Sequence, residues 1–385
     1  MLPQIVIVLI LMLLCTGQLL VSANDPVLPY CKTDIEHDFE HITGTWKPIE
    51  QEHRLFTCCG TNDNPRSPVC AVENSDFIHA PYLGYQNHCC TCQADLKSFD
   101  APLDAEMYEW TPSTCQLASF MKGDYDFCEI LGDRQITIIG DSTMPHVVYT
   151  LNAMIYTAFK AGKLKRNCAS QINYILNHVW HTAHDAEKRD DFSDLLTRLY
   201  HNPVDIIIAS IGAHIHESPY FGALNSTDEH ADMPHGKYLR AWKRHIQDME
   251  WLFEQQSVFL KDKFPNKAPP QWFYMTAQPG IVNCADMPEP LVDRDRGEGR
   301  YQYQSIHSMN DYARVHFKGT GVGVIDTTPL QLRPDAKVKQ HDHTGMDCLH
   351  FCVPGPLNFV AELIGHVLYT KWYSDLQTSW TSESD

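Results

Sequence analysis

Apolar and polar positions along the chain fall into three textures. Residues 5–15 form an unbroken apolar run of 11. Residues 24 to about 130 are turn-rich and Cys-rich, with little periodic apolar pattern. From about residue 131, short β-branched runs alternate with amphipathic stretches. Gln135 to Ile139 (QITII) predicts a buried strand ending at Gly140. Pro145 to Lys160 predicts a helix. Asp205 to Ile211 (DIIIASI) predicts a second strand. Tyr238 to Phe264 predicts a long helix, with Trp242, Ile246, Met249 and Phe253 on one face. Gln271 to Ala277 predicts a third strand, Ser305 to Lys318 a helix, Val322 to Asp326 a fourth strand, and Leu357 to Trp372 a closing helix. Strands alternating with helices imply an α/β fold with a parallel sheet covered on both faces. Ligands on such sheets bind at the carboxyl ends of the strands, so the residues just after each strand are read first.

The N-terminal texture bears on compartment. The first 23 residues carry no charged side chain, and Val21-Ser22-Ala23 offers a cleavage site after Ala23. A signal peptide over 1–23 is expected. An uncleaved signal anchor is the alternative, because Ile5 to Val21 reaches marginally across a bilayer. The chain holds 14 cysteines, nine of them between Cys31 and Cys128. In an oxidising compartment these are mostly disulfides. Asn225-Ser226-Thr227 is a sequon, so Asn225 is a candidate glycosylation site. These features predict the secretory pathway, either secretion or the Golgi lumen. The expected organisation is the signal segment 1–23, a Cys-rich region 24–130, an α/β domain 131–375 and a polar tail 376–385. No later segment is apolar enough to span a membrane. With 30 basic against 48 acidic side chains, the net charge is −18. That balance excludes a nucleic-acid binder, which needs a basic footprint, and a polybasic membrane-surface protein.

Three strand ends carry candidate chemistry. After the first strand comes Gly140-Asp141-Ser142-Thr143. A Ser at a strand-to-helix turn stands at the sheet rim, near helix N-terminal N–H groups that can hold an oxyanion. The plainer alternative is that Asp141 or Ser142 caps the helix. After the second strand comes Gly212-Ala213-His214, where a Gly lets backbone approach a ligand and His214 can point into the same crevice. Here the alternative is a turn followed by surface histidines. Before the last helix comes Asp347-Cys348-Leu349-His350-Phe351-Cys352. A carboxylate three residues before an imidazole can hold one ring nitrogen, leaving the other to take a proton from Ser142. The two cysteines would fix the loop if both are bridged; a structural His near a helix start is the alternative.

Taken together, these residues resemble the PC-esterase group of the SGNH (GDSL-like) fold, which includes the trichome-birefringence-like polysaccharide O-acetyltransferases. Tyr108 to Leu117 (YEWTPSTCQL) resembles that family's W-x-P-x-x-C-x-L stretch. Ile130 to Arg134 leads into the G-D-S strand as in that family. Val204 to His214 resembles its strand ending in Gly-His, Leu332 to Asp335 its L-R-x-D segment, and Thr43 to Trp46 its G-x-W. Asp347 to Pro354 (DCLHFCVP) resembles D-C-x-H-W-C-L-P most closely. The resemblance covers about residues 105–373 and implies a three-layer α/β/α sheet carrying a catalytic triad. Ser142 would be the nucleophile, His350 the base and Asp347 its orienting carboxylate. The Ser142 N–H, with Gly212 and His214, would hold the oxyanion, and Asp141 would lie at the substrate side. The family often continues G-D-S with Ser-Arg-Asn, whereas this chain has Thr143-Met144-Pro145-His146. No separate second-block glycine is evident between Ser142 and Gly212.

The implied activity is polysaccharide O-acetyl transfer through an acetyl-Ser142 intermediate. The alternative within the same chemistry is a carbohydrate acetylesterase, with water as acceptor. The partner is a polysaccharide or glycan. No resident cofactor or metal is expected; the acetyl donor is open, with acetyl-CoA one candidate. Two other classes compete. One is a carbohydrate-binding protein with a vestigial site, its sugar platforms drawn from an aromatic content of 11%. The other is a zinc enzyme using His178, His181 and His184, His341-Asp342-His343, or Cys89, Cys90 and Cys92. A solvated helix face, a polar loop and disulfides account for those three groups respectively.

Overall fold

The computed structural model describes residues 28–32, 43–50, 104–176, 204–210, 264–278, 280, 284–291, 303–338 and 348–382, with scattered helical positions between 243 and 262. Two short strands, β1 (Gly44–Pro48) and β2 (Tyr108–Pro112), pair antiparallel. Helix α1 (Phe127–Leu131) follows, capped by Asp126, whose side chain accepts from the Glu129 N–H. The main sheet then begins. Its strands are β3 (Ile136–Gly140), β4 (Ile172–Leu176), β5 (Ile206–Ser210), β6 (Gln271–Met275) and β7 (Gly323–Ile325). They lie in the order β4-β3-β5-β6-β7, and every neighbouring pair is parallel. Helices α2 (Met144–Lys160), α3 (Tyr303–Phe317) and α4 (Leu357–Ser382) complete the described elements used below.

Alternation along the strands sorts side chains onto two faces. Ile136, Ile138, Ile206, Ile208, Phe273 and Met275 face α2 and α4, meeting Val147, Leu151, Val360 and Ile364. Ile139, Ile207, Ala209, Trp272 and Tyr274 face the other way, against Ile306, Met309 and Phe317 of α3 and helical residues Ile246, Met249 and Phe253. The architecture is therefore three layers, α/β/α, as expected. Every residue of β3 and β5 is buried. Each buried Ile contributes roughly 1.5–3 kcal/mol, so burial on both faces, rather than strand propensity, holds the sheet centre.

The predicted strands, and the helices predicted over 145–160, 305–318 and 357–372, are found within a few residues, and the described positions of the 238–264 stretch are helical. The β1–β2 pair is an addition to the predicted elements, and there are two further differences. The sheet has a fifth strand, β4, at its edge. The last helix runs to Ser382, ten residues beyond the expected Trp372. Among the described residues the disulfides are Cys31–Cys115, Cys128–Cys168 and Cys284–Cys348. Three such bonds suit an oxidising, secretory-type environment. No helix among the described residues is long and apolar enough to cross a membrane. The 1–23 segment lies outside the described residues.

The strand order matters for function. From β3 the chain moves to β4 on one side, then crosses back to β5 on the other. The crevice at such a reversal, beyond the carboxyl ends of the strands, is where ligands bind on open α/β sheets. Ser142 sits two residues after the end of β3.

Candidate active site

The turn that presents Ser142 is tightly built. At Gly140 a Cβ would lie 2.2 Å from the Ser210 carbonyl oxygen and 2.3 Å from Met144 Cγ. Only glycine lets β3, β5 and the start of α2 approach so closely. Asp141 is buried, and its Oδ1 accepts from the Thr143 N–H at 3.0 Å and the Thr143 hydroxyl at 2.7 Å. The Met144 N–H donates to the Asp141 carbonyl at 3.1 Å, closing the turn. From β4, the Tyr174 hydroxyl lies within hydrogen-bond distance of the Gly140 and Asp141 carbonyls, at 3.1 and 3.0 Å. The α2 N-cap is Thr143, with no side-chain cap hydrogen bond. Ser142 is thus not the helix cap, and the Asp141 oxygen described here serves the turn.

His350 comes from the loop before α4. Cys348 adopts a left-handed conformation, φ 46°, uncommon for a side chain other than glycine. A short antiparallel ladder fixes the loop. The Val338 N–H donates to the His350 carbonyl at 2.9 Å, the Cys348 N–H to the Val338 carbonyl at 3.1 Å, and the Cys352 N–H to the Ala336 carbonyl at 2.9 Å. Lys337 is buried; its Nζ donates to the Leu349 carbonyl at 2.6 Å and lies 3.3 Å from the centre of the Phe351 ring. Cys348 is bridged to Cys284. Cys352 is also disulfide-bonded. Both cysteines flanking His350 are therefore bridged.

These two turns bring His350 Nε2 to 3.0 Å from Ser142 Oγ, across 208 residues of sequence. Both residues are buried. A neutral imidazole at this distance can accept the hydroxyl proton, which is the geometry an activated serine nucleophile requires. The ring of His146, on the first turn of α2, lies 5.1 Å from the His350 ring.

Asp347, Gly212, His214 and Asn225 lie outside the described residues, as do the histidine and cysteine groups considered for zinc. Among the described residues no cluster of three or more His, Cys, Asp or Glu could hold a metal ion.

The neighbouring strand ends are pinned by buried polar groups that the sequence pattern does not single out. Asn310 of α3 accepts from the Ala277 N–H at 2.9 Å and donates to its carbonyl at 3.1 Å, holding the exit of β6. Asp326, just past β7, accepts from the Thr328 N–H at 3.0 Å and pairs with Arg314 at 3.2 Å. The sequence pattern does not single out Tyr174 or Lys337 either, and it marks His146 only as part of the Thr143 to His146 segment that departs from the family's pattern. Histidines and tyrosines are common along the chain, and a lysine is ordinarily exposed.

Comparison with known proteins bears on the family that the chain resembles. No curated protein matches the chain. Residues 200–367 match PC-Esterase, described as the GDSL/SGNH-like Acyl-Esterase family found in Pmr5 and Cas1p. The matched stretch includes His350 and begins after Ser142; the sheet joins the two. Over residues 200–367 the chain is thus similar to the PC-esterase family of GDSL/SGNH-like acyl-esterases.

Proposed function

We propose that the protein is a serine acyl-ester enzyme acting on glycans, working as a polysaccharide O-acetyltransferase through an acetyl-Ser142 intermediate. The observation that carries this reading is the 3.0 Å approach of His350 Nε2 to Ser142 Oγ at the point where strand order reverses. His350 takes the Ser142 proton as Oγ attacks the acyl carbonyl, then passes it to the departing oxygen. Asp347 is assigned, on its spacing, to orient His350 and support its charged form. The backbone N–H of Ser142, with Gly212 and His214, is assigned to the oxyanion. In the second half-reaction a sugar hydroxyl attacks the acyl-serine. Water attacking instead would make the protein an acetylesterase, a reading favoured by the acyl-esterase description of the family. The disulfides and the N-terminal apolar run favour a place in the secretory pathway, secreted or in the Golgi lumen.

The test is intact mass after brief exposure to an activated acetyl ester, with acetyl-CoA compared as donor. Wild type should gain about 42 Da, one acetyl replacing one hydrogen, and Ser142→Ala should gain nothing. Turnover in Ser142→Ala should fall by about 10³-fold or more. Well-folded wild type that neither forms the adduct nor releases acetate would overturn the reading.

A further inference from the structure

A serine–histidine pair needs one imidazole, and the described site holds two. His146 lies four residues after Ser142, at the start of α2. Ser142 lies in the turn just before that helix, so the chain itself keeps the two residues close. The His146 ring centre is 5.1 Å from that of His350, tilted by 50°. It is as enclosed as its neighbours: 5% exposed, against 4% for Ser142 and 7% for His350. The Thr150 hydroxyl donates to the His146 backbone carbonyl at 2.7 Å, a bond internal to the helix. The other basic side chain beside the His350 loop, Lys337, donates to the Leu349 carbonyl and so supports the loop.

We propose that His146 is a specificity-determining residue that receives the acceptor. Its ring hydrogen-bonds a sugar hydroxyl next to the attacking one, and so directs the acyl group to a glycan rather than to water. This rests on the serine acyl-enzyme reading. In the transfer step the acceptor oxygen bonds to the acyl carbon while the bond from that carbon to Ser142 Oγ breaks. The acceptor proton goes to His350 Nε2 and from there to Ser142 Oγ. His146 gains and loses no proton overall. Neutral imidazole offers one N–H donor and one acceptor nitrogen. A sugar hydroxyl also donates and accepts, so it can satisfy either nitrogen while its neighbour attacks. A lone water attacking the acyl carbon cannot make both contacts at once.

The experiment uses the full chain, p-nitrophenyl acetate as donor and a mixture of soluble neutral oligosaccharides as acceptor. Acetate and acetylated oligosaccharide are both counted. Their ratio is taken per acyl-enzyme turned over, so it does not depend on how much protein is folded. The transfer-to-hydrolysis ratio should fall about tenfold in His146→Ala, the scale of one lost hydrogen bond, and recover in part in His146→Gln, which keeps an N–H. A ratio equal to wild type in both variants overturns the proposal, even where total turnover drops. So does wild type that forms the adduct and transfers to none of the oligosaccharides. Absence of the adduct in wild type is a different failure: it removes the serine acyl-enzyme reading itself, and this inference with it.

Discussion

Glu362 lies in α4 with its carboxyl packed into the core, accepting from the Ser119 hydroxyl at 2.8 Å. Burial pushes it up from 4.5 to about 7, against the opposing pull of the Ser119 bond. The folded state therefore holds this proton more tightly than the unfolded chain does. Its stabilising contribution is complete below about pH 4.5 and is lost as pH rises through about 7. Wild type should lose about 1–3 kcal/mol between pH 5 and 7.5 relative to Glu362→Gln. Thermal unfolding of the two proteins across that range checks this, and parallel curves would contradict it. Single residues are also where the sequence is hardest to read. Among 21 histidines, His366 is a buried clamp: Nδ1 accepts from the Ala118 N–H at 3.0 Å, which leaves Nε2 to donate to the Cys31 carbonyl at 2.9 Å. Burial holds its pKa down. Asp347 and two flanking cysteines mark His350 in the sequence, but nothing adjacent marks His366, whose partners lie 248 and 335 residues away.

At the scale of elements, the His350 loop depends on covalent support. The Cys284–Cys348 bond spans 64 residues. Loop-closure entropy alone assigns such a bond about 4 kcal/mol. Cys284→Ser with Cys348→Ser should lower stability by about that much and reduce turnover, because Cys348 is held in an uncommon backbone conformation two residues from His350. Denaturant unfolding and acetate release measure the two effects separately. Strand β3 and strand β5 were legible because both sheet faces are buried there, which writes a continuous β-branched run. Strand β4 (INYIL) was not, because at the sheet edge Asn173 is exposed and interrupts the run. The β1–β2 pair was also hidden. GTWKP and YEWTP carry little alternation, and Gly44 pairs with Pro112 across a long intervening stretch. Long-range pairing of that kind leaves no local signature.

At the scale of the whole molecule, the segments resembling the family divide between two places. Gly140 to Ser142 and the residues around His350 make the candidate site. Trp46, Tyr108 and the Leu332 to Asp335 segment gather around Arg333. That fully buried guanidinium pairs with Asp335 at 2.8 Å and donates to the Ala105 carbonyl at 2.9 Å. It lies 4.6 Å from the centre of the Trp46 ring and 5.0 Å from that of Tyr108. Trp46 Nε1 donates to the Pro329 carbonyl at 2.9 Å, and its ring meets Trp110 and Phe359 edge-on. Arg333 thereby joins the β1–β2 pair to the segment leading into Lys337 and the His350 loop. Arg333→Met should cost about 3–5 kcal/mol, since it strands the Asp335 carboxylate. Arg333→Lys should cost less, keeping the charge while losing the fork. Chemical denaturation gives the order, and equal stability of all three proteins would refute this role. The resemblance in sequence made these residues visible. Their function as a joint between distant parts of the chain was visible only once they were seen packed together.

The 208-residue separation of Ser142 from His350 also sets a schedule. A ribosome makes the hydroxyl long before it makes the ring. During that interval the emerging chain carries Ser142 and His146 with no His350 beside them. Any chain that stops short of residue 350 has the same composition of groups, however well its first strands fold. The Ser142–His350 pair thus forms only after residue 350 has been made, when its loop closes onto a sheet whose first strand in the chain, β3, was made well before.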